Sequence, residues 1–260
     1  MKSKKAFFVG LVITLVLGFA ALTFDNYNAI SSFKNKAGSS EKEAANDMSQ
    51  THQDPVKAEA TEAEKQVLME TRKNSEILKV SAQDHMIGDR NAPVVFIEYA
   101  SLSCPHCAAF VRESFSRLQD EYISSGKVLF IFRNFPLNQA ALTAAMFAEC
   151  QKKDSNLDSE GYFATIKALF KTQDSWAFDA KFADRLEAIA KLDGMGSERF
   201  KSCINDKSLQ EKILTIRMEA AKELQIKSVP TFFANGEISE GYVDYETMKK
   251  LIEKKLAEKK

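Results

Sequence analysis

The chain has no excess of charge of either sign: 36 Lys and Arg against 36 Asp and Glu in 260 residues give a formal net charge of zero. That balance argues against a nucleic-acid binder, which needs surplus positive charge to meet phosphates. Cysteine is scarce, with four in all: Cys104, Cys107, Cys150 and Cys203. Four are too few for a disulfide-stapled mini-protein, and a chain this long does not need stapling. There is no internal repeat, so a solenoid is excluded, and no sustained heptad, so nothing argues for a coiled coil. The hydrophobic share is 45%, ordinary for a folded globular protein, so the chain is not disordered throughout. The length allows one large domain or two small ones.

The first 24 residues read as an address to a membrane. Lys2, Lys4 and Lys5 precede residues 6–24, which carry no charge and include Phe7, Phe8, Leu11, Ile13, Leu15 and Phe19. A basic start followed by an apolar run is the pattern of an export signal. Lysines before the run and Asp25 after it place the N-terminus in the cytoplasm and the remainder outside. The run's 19 residues lie between a cleavable signal core of about 7–15 and a spanning helix of about 20. Gly18, Ala20 and Ala21 supply small residues for a peptidase, so a signal peptide and a retained anchor both stay open.

Residues 25–66 are mostly Ser, Asn, Glu, Lys, Ala and Gln. Such a segment buries too little surface to offset the entropy of ordering and reads as a flexible polar spacer, with a solvated helix from about Val56 that lets two chains associate as the alternative. We place the linker at 25–74 and the folded domain at 75–260. Val94, Val95, Phe96 and Ile97 form a continuous apolar run, expected of a central strand covered on both faces. Phe110, Val111, Phe115, Leu118 and Tyr122 then recur at helical spacing, and Gly126 closes that helix. Val128 to Phe132 is a second buried strand. Residues 137–227 are mostly helical, with amphipathic patterns around Ala141, Phe163, Phe182 and Ile213. Val229 to Ala234 is a short strand, Asn235 and Gly236 signal a hairpin turn, and Asp244 caps a final helix.

The chemistry is carried by Cys104, Pro105, His106 and Cys107. Two cysteines three apart at a helix start can close a disulfide across one turn. The first sits at an exposed end, where unpaired N–H groups and the positive macrodipole favour a thiolate. Cys107, one turn in, is expected to be the shielded, resolving thiol. His106 can add positive charge and a hydrogen bond to the thiolate. Pro105 fits the first helical turn, where its missing N–H costs little. Other readings of the pair are weaker. Zinc needs a second ligand pair, yet Cys150 and Cys203 are isolated, and His52 and His85 fall in or near expected loops. A c-type haem needs His after Cys107, where Ala108 stands.

The stretch from Glu98 to Cys107 resembles the active-site strand and helix start of DsbA-type thiol-disulfide oxidoreductases. The stretch from Ser228 to Gly236 is similar to their cis-proline loop and hairpin. The helical insertion at 137–227 matches the one this family places in a thioredoxin fold, and the likeness spans about residues 77–256. It implies an α/β thioredoxin fold with an inserted helical domain, preceded by the hydrophobic segment and linker. It implies that Cys104 attacks and is attacked, that Val229 and Pro230 line the substrate groove, and that a cis bond there presents the Val229 backbone to an extended polypeptide. Glu98 would be a buried acid exchanging protons with Cys107; an exposed strand residue is the alternative. Lys127 would be its ionic partner or a solvated turn lysine.

The resemblance further implies an oxidant that donates its disulfide to exported, unfolded proteins bearing free thiols. It would act in the periplasm, with membrane anchoring through residues 6–24 as an option, and be reoxidised by a membrane partner of the DsbB type. No cofactor or metal beyond the Cys104–Cys107 disulfide is expected. Cys150 and Cys203 depart from the simplest members. In an oxidising compartment two leftover cysteines in expected helices pair, with free thiols or a regulatory pair as alternatives. The rival functions are an isomerase or reductase, and a metal-binding or chaperone module on the same fold.

Overall fold

The computed structural model describes residues 74, 76–151 and 159–259. The apolar run 6–24, His52 and nearly all of the linker lie outside them. No helix among the described residues is long and apolar enough to cross a membrane.

Five strands form one mixed sheet in the order β1-β3-β2-β4-β5. They are β1 (His85–Ile87), β2 (Val94–Ala100), β3 (Val128–Asn134), β4 (Thr231–Ala234) and β5 (Glu237–Glu240). The apolar runs predicted at 94 and 128 become the central parallel pair β2 and β3, with Glu98 opposite Phe132. Both are covered on two faces and almost wholly buried, which is why they lack the alternation of a half-exposed strand. A parallel pair needs a crossover. Helix α1 supplies it over residues 105–123: α-helical at Pro105–Phe110 and Ser116–Leu118, π-helical at Val111–Phe115 and Gln119–Ile123.

β4 runs antiparallel to β2, placing Phe232 opposite Glu98. The Asn235-Gly236 turn has positive φ at both residues (45° and 87°), the geometry this dipeptide favours between β4 and β5. The Asn235 side chain also accepts from the Val95 N–H at 2.8 Å and donates to the Pro93 carbonyl at 3.1 Å. It therefore joins the hairpin to the entry of β2.

The structure adds three features to the sequence expectation. The lead-in to β2, residues 76–93, is extended in part and supplies an edge strand, β1, antiparallel to β3. His85 accordingly lies in a strand, not a loop. Its ring stacks on Tyr162 with centroids 3.5 Å apart, and Nε2 meets Glu149 Oε1 at 2.8 Å. Among its described residues the insertion holds five α-helices: α2 (Gln139–Glu149), α3 (Ser159–Lys171), α4 (Phe182–Leu192), α5 (Ser197–Ile204) and α6 (Lys207–Glu223). The short α5 carries too few turns for its periodicity to stand out. Helix α2, rich in alanine and buried on nearly every face, is the hub against which α3, α4, α5 and α6 pack. Helix α7 (Tyr245–Ala257), capped by Asp244, closes over β2 and β4.

The sheet and the insertion share one core. Phe110 meets Phe232 at 4.8 Å and Phe115 meets Phe130 at 5.0 Å between ring centroids. Phe163 of α3 reaches Phe130 at 6.0 Å. Arg133 anchors the lead-in from the other side: it binds both Asp84 oxygens at 2.8 and 2.9 Å and donates to the Ile77 and Lys79 carbonyls.

Candidate active site

Strand β2 ends in a turn that sets the thiols. The Ser101 and Ser103 hydroxyls lie 3.2 Å apart, and the Cys104 N–H donates to the Ser101 carbonyl at 3.0 Å. Cys104 is the N-cap of α1, with extended φ and ψ of −85° and 120° and no side-chain cap bond. Its sulfur therefore faces the open N–H groups of the first turn. Pro105 and His106 are exposed and Cys107 is fully buried. Cys104 is not the open thiol that a helix end suggested: only 6% of the residue is accessible. The cover comes from far along the chain, where the Val229 carbonyl lies 3.4 Å from Cys104 Sγ. The Val229–Pro230 bond is cis. The loop is held by the Thr231 hydroxyl on the Ser228 carbonyl and by the Gly241 N–H on the Pro230 carbonyl, at 2.7 and 2.8 Å.

Cys104 and Cys107 are both free thiols here, and their environments separate them. The Cys104 thiol is lowered to about 6. The largest cause is a hydrogen bond from the Cys107 thiol. The Cys107 and His106 backbone N–H groups and, least, the His106 charge add to it, against the cost of burial. Burial first, then the bond to Cys104 and the charges of Glu98 and Cys104, push Cys107 well above the ordinary thiol range. The His106 imidazole stands at the rim, its ring 6.5 Å from that of Tyr242. The Tyr242 hydroxyl is fixed by donating to Glu113 at 2.6 Å.

Glu98 is completely buried, not an exposed strand residue. Burial, then the Cys104 charge, hold its carboxyl well above the usual range. Neither of its oxygens has a hydrogen-bond partner. Beside it lies a cavity of about 10 Å³ lined by Phe115, Phe130, Phe163, Ile166 and Lys167, about the space of one water. The cation sharing this cavity is Lys167 of α3, which also donates to Gln119 at 2.9 Å. Lys127 is exposed, with Nζ 5.6 Å from the Tyr122 ring centre, and does not pair with Glu98. No sequence signal marks Lys167, since its spacing in α3 reads as a solvated helix face.

Cys150 and Cys203 are joined as a disulfide with Cα atoms 6.2 Å apart. Cys150 is the C-cap residue of α2, just beyond the helix, and Cys203 lies in α5. Among the described residues no three His, Cys, Asp or Glu side chains converge as metal ligands. A second residue that sequence reading missed is Gln173, in the turn after α3. It is 2% exposed, and its side-chain nitrogen donates to the Leu102 and Cys104 carbonyls at 2.7 and 3.1 Å.

Comparison with known proteins bears on the family and the fold. A family model described as thioredoxin matches residues 80–254. A putative protein-disulfide oxidoreductase of Rickettsia conorii is 29% identical over 216 residues, covering 83% of this chain and 74% of that protein. A probable disulfide bond formation protein D of Bacillus cereus is 29% identical over 188 residues, covering 71% of this chain and 83% of that one. The crystal structure of Wolbachia pipientis alpha-DsbA1 superposes with a TM-score of 0.65 at 33% identity, over 72% of this chain and all of that one.

Proposed function

The chain belongs to the DsbA-type branch of the thioredoxin superfamily and is a thiol-disulfide oxidoreductase; from that premise we propose that it acts as an oxidant, passing the Cys104–Cys107 disulfide to the thiols of exported proteins. The observation that carries this reading is the split between the two thiols: Cys104 lowered to about 6, Cys107 pushed well above the ordinary range. A stabilised thiolate exists only in the reduced protein, so it favours reduction of the disulfide and makes the oxidised protein a strong acceptor.

The steps balance as follows. A client thiolate attacks Cys104 Sγ, the Cys104–Cys107 bond breaks, and Cys107 leaves as a thiolate. Glu98, held protonated by burial, returns a proton to Cys107, which is why a carboxyl without partners suits this position. The client's second thiolate attacks its own sulfur in the mixed disulfide and expels Cys104, whose lowered pKa makes it a good leaving group. Two electrons pass from client to protein. The products are a client disulfide, the Cys107 thiol and the Cys104 thiolate.

Val229 and Pro230 form the groove wall in this reading, with the Val229 backbone pairing to an extended client segment beside Cys104. His106 assists the thiolate. The Cys150–Cys203 disulfide is structural. No cofactor is required beyond the redox pair, and reoxidation falls to a membrane partner of the DsbB type. The apolar run 6–24 supports a periplasmic location, by cleavage or as an inner-membrane anchor.

Two measurements test this. Equilibration with glutathione should leave Cys104–Cys107 largely reduced under conditions that keep thioredoxin oxidised; a potential near that of thioredoxin sinks the oxidant reading. Cys107→Ala should accumulate reductant-sensitive mixed disulfides with exported proteins, and Cys104→Ala should yield few. Equal trapping by both variants, or none by Cys107→Ala, overturns the division of labour.

A further inference from the structure

We infer that Gln173 is a positioning residue of the thiol-disulfide reaction: its carboxamide, delivered by the helical insertion, clamps the Leu102 and Cys104 carbonyls and holds the active-site turn in the shape that aims the His106 and Cys107 N–H groups at the Cys104 sulfur. The inference rests on Cys104 being the attacking thiol.

Within the turn the bonds centre on Ser101, whose hydroxyl accepts from the Ser103 and Leu137 N–H groups at 3.4 and 3.3 Å. As N-cap, Cys104 has no side-chain cap bond, and the Ser101 carbonyl is the one backbone partner of its N–H. Its carbonyl accepts from the Ala108 N–H at 3.1 Å in the first helical turn. A second donor reaches that same carbonyl across 69 residues of sequence, from Gln173, and the other hydrogen of that NH2 group goes to Leu102 across 71. One planar amide thus spans both sides of Ser103 and fixes the peptide planes leading into α1. Both hydrogens of the group are used, and the residue is buried to 2% accessibility, so water offers no substitute donor.

The donor is itself rigidly placed. Gln173 opens a 3-10 turn, and its own carbonyl accepts from the Trp176 and Ala177 N–H groups at 3.1 and 2.9 Å. Trp176 is fully buried and donates its indole N–H to the Leu169 carbonyl at 3.1 Å. The amide therefore transmits the position of α3 to the thiol turn. Its electrostatic sense matches its geometry: the positive end of the amide dipole lies at the carbonyl of Cys104 itself and opposes the partial negative charge there. Removing it slackens the turn, strips the Leu102 carbonyl of the Gln173 donor and leaves the Cys104 carbonyl with the Ala108 N–H alone, and each effect disfavours a thiolate.

The test follows thiolate absorbance at 240 nm against pH on the full-length, mildly reduced protein. Gln173→Leu keeps the size of the side chain and removes the donor. It should raise the Cys104 titration midpoint by about one unit and cut the alkylation rate at pH 5 about tenfold. Ser175→Ala serves as the control, because the Ser175 hydroxyl braces the same 3-10 turn through the Thr172 carbonyl at 2.7 Å without touching the thiol turn. It should leave the midpoint in place. A midpoint unchanged in folded Gln173→Leu, or shifted equally by Ser175→Ala, overturns the inference. If Gln173→Leu does not fold, Gln173→Glu replaces it: one donor hydrogen at most, or a charge facing two carbonyls, must also raise the midpoint, and an unchanged value is fatal. If the unaltered protein itself has no thiolate midpoint below 7, the underlying assignment of Cys104 has failed instead.

Discussion

The reduced protein should gain stability over the oxidised one as pH rises from 5 to 8, and the gain is set by Cys104. In the unfolded chain this thiol has the ordinary value of 9.0; in the fold it is lowered to about 6. A depressed folded value contributes stability that is complete above the unfolded value and lost as pH falls through the folded one. Linkage with these two values gives close to zero at pH 5, about 1 kcal/mol at pH 7 and about 3 kcal/mol at pH 8. The disulfide form has no such thiolate and gains nothing. Glu98 works in the opposite sense: its raised value costs stability as pH climbs above the ordinary carboxyl range. Burial, the larger cause, is common to both redox forms, so most of that cost cancels in the difference. Cys107, also raised, costs the reduced form stability only as pH approaches 9, which fixes the upper end of the window.

The assay is urea unfolding of oxidised protein and of mildly reduced protein freed of reductant, at intervals from pH 5 to 8. The reduced-minus-oxidised difference should rise by about 3 kcal/mol across that range. Cys104→Ser in place of the reduced protein should abolish the slope. A difference flat to within about 0.5 kcal/mol would refute the assigned thiolate.

Three other outcomes are expected. His106→Ala should make the disulfide less oxidising against glutathione, but by only about two- to fivefold, since the imidazole charge is the smallest of the causes lowering Cys104; an unchanged or more oxidising variant removes His106 from the site. Arg133→Met leaves the Asp84 carboxylate buried without its bidentate partner and should cost about 3–5 kcal/mol in urea unfolding; a loss below about 1 kcal/mol would mean the lead-in is held by other contacts. Replacing Cys150 and Cys203 together by serine releases a loop of 53 residues and should cost about 4 kcal/mol; in the unaltered protein, peptide mapping should find that pair still linked after mild reduction has opened Cys104–Cys107, and alkylation of both thiols in native protein would contradict it.

The features legible in the sequence are those decided within one turn of chain or by a local pattern. Continuous apolar runs at 94 and 128 marked strands buried on both faces, and the Asn235-Gly236 pair marked the β4–β5 turn, because its positive φ values suit a two-residue hairpin. Cys-Pro-His-Cys at a helix start announced the chemistry, since cap geometry and the helix dipole act over a few ångströms. Contacts across long stretches of sequence were not legible. His85 read as a residue in or near a loop, and only the fold shows it enclosed by Tyr162 and Glu149. Lys127 read as a solvated turn lysine before it read as a partner to Glu98, and it is exposed; what the sequence did not show is that packing of α3 on the sheet brings Lys167 to the Glu98 cavity. Cys104 read as an exposed helix end until the Val229 loop covered it, and Gln173 reached its carbonyl from the insertion. Periodicity states which face of a helix is apolar, but not which neighbour it meets; that is decided when the whole chain excludes water from a single core, and the thiol site was completed there.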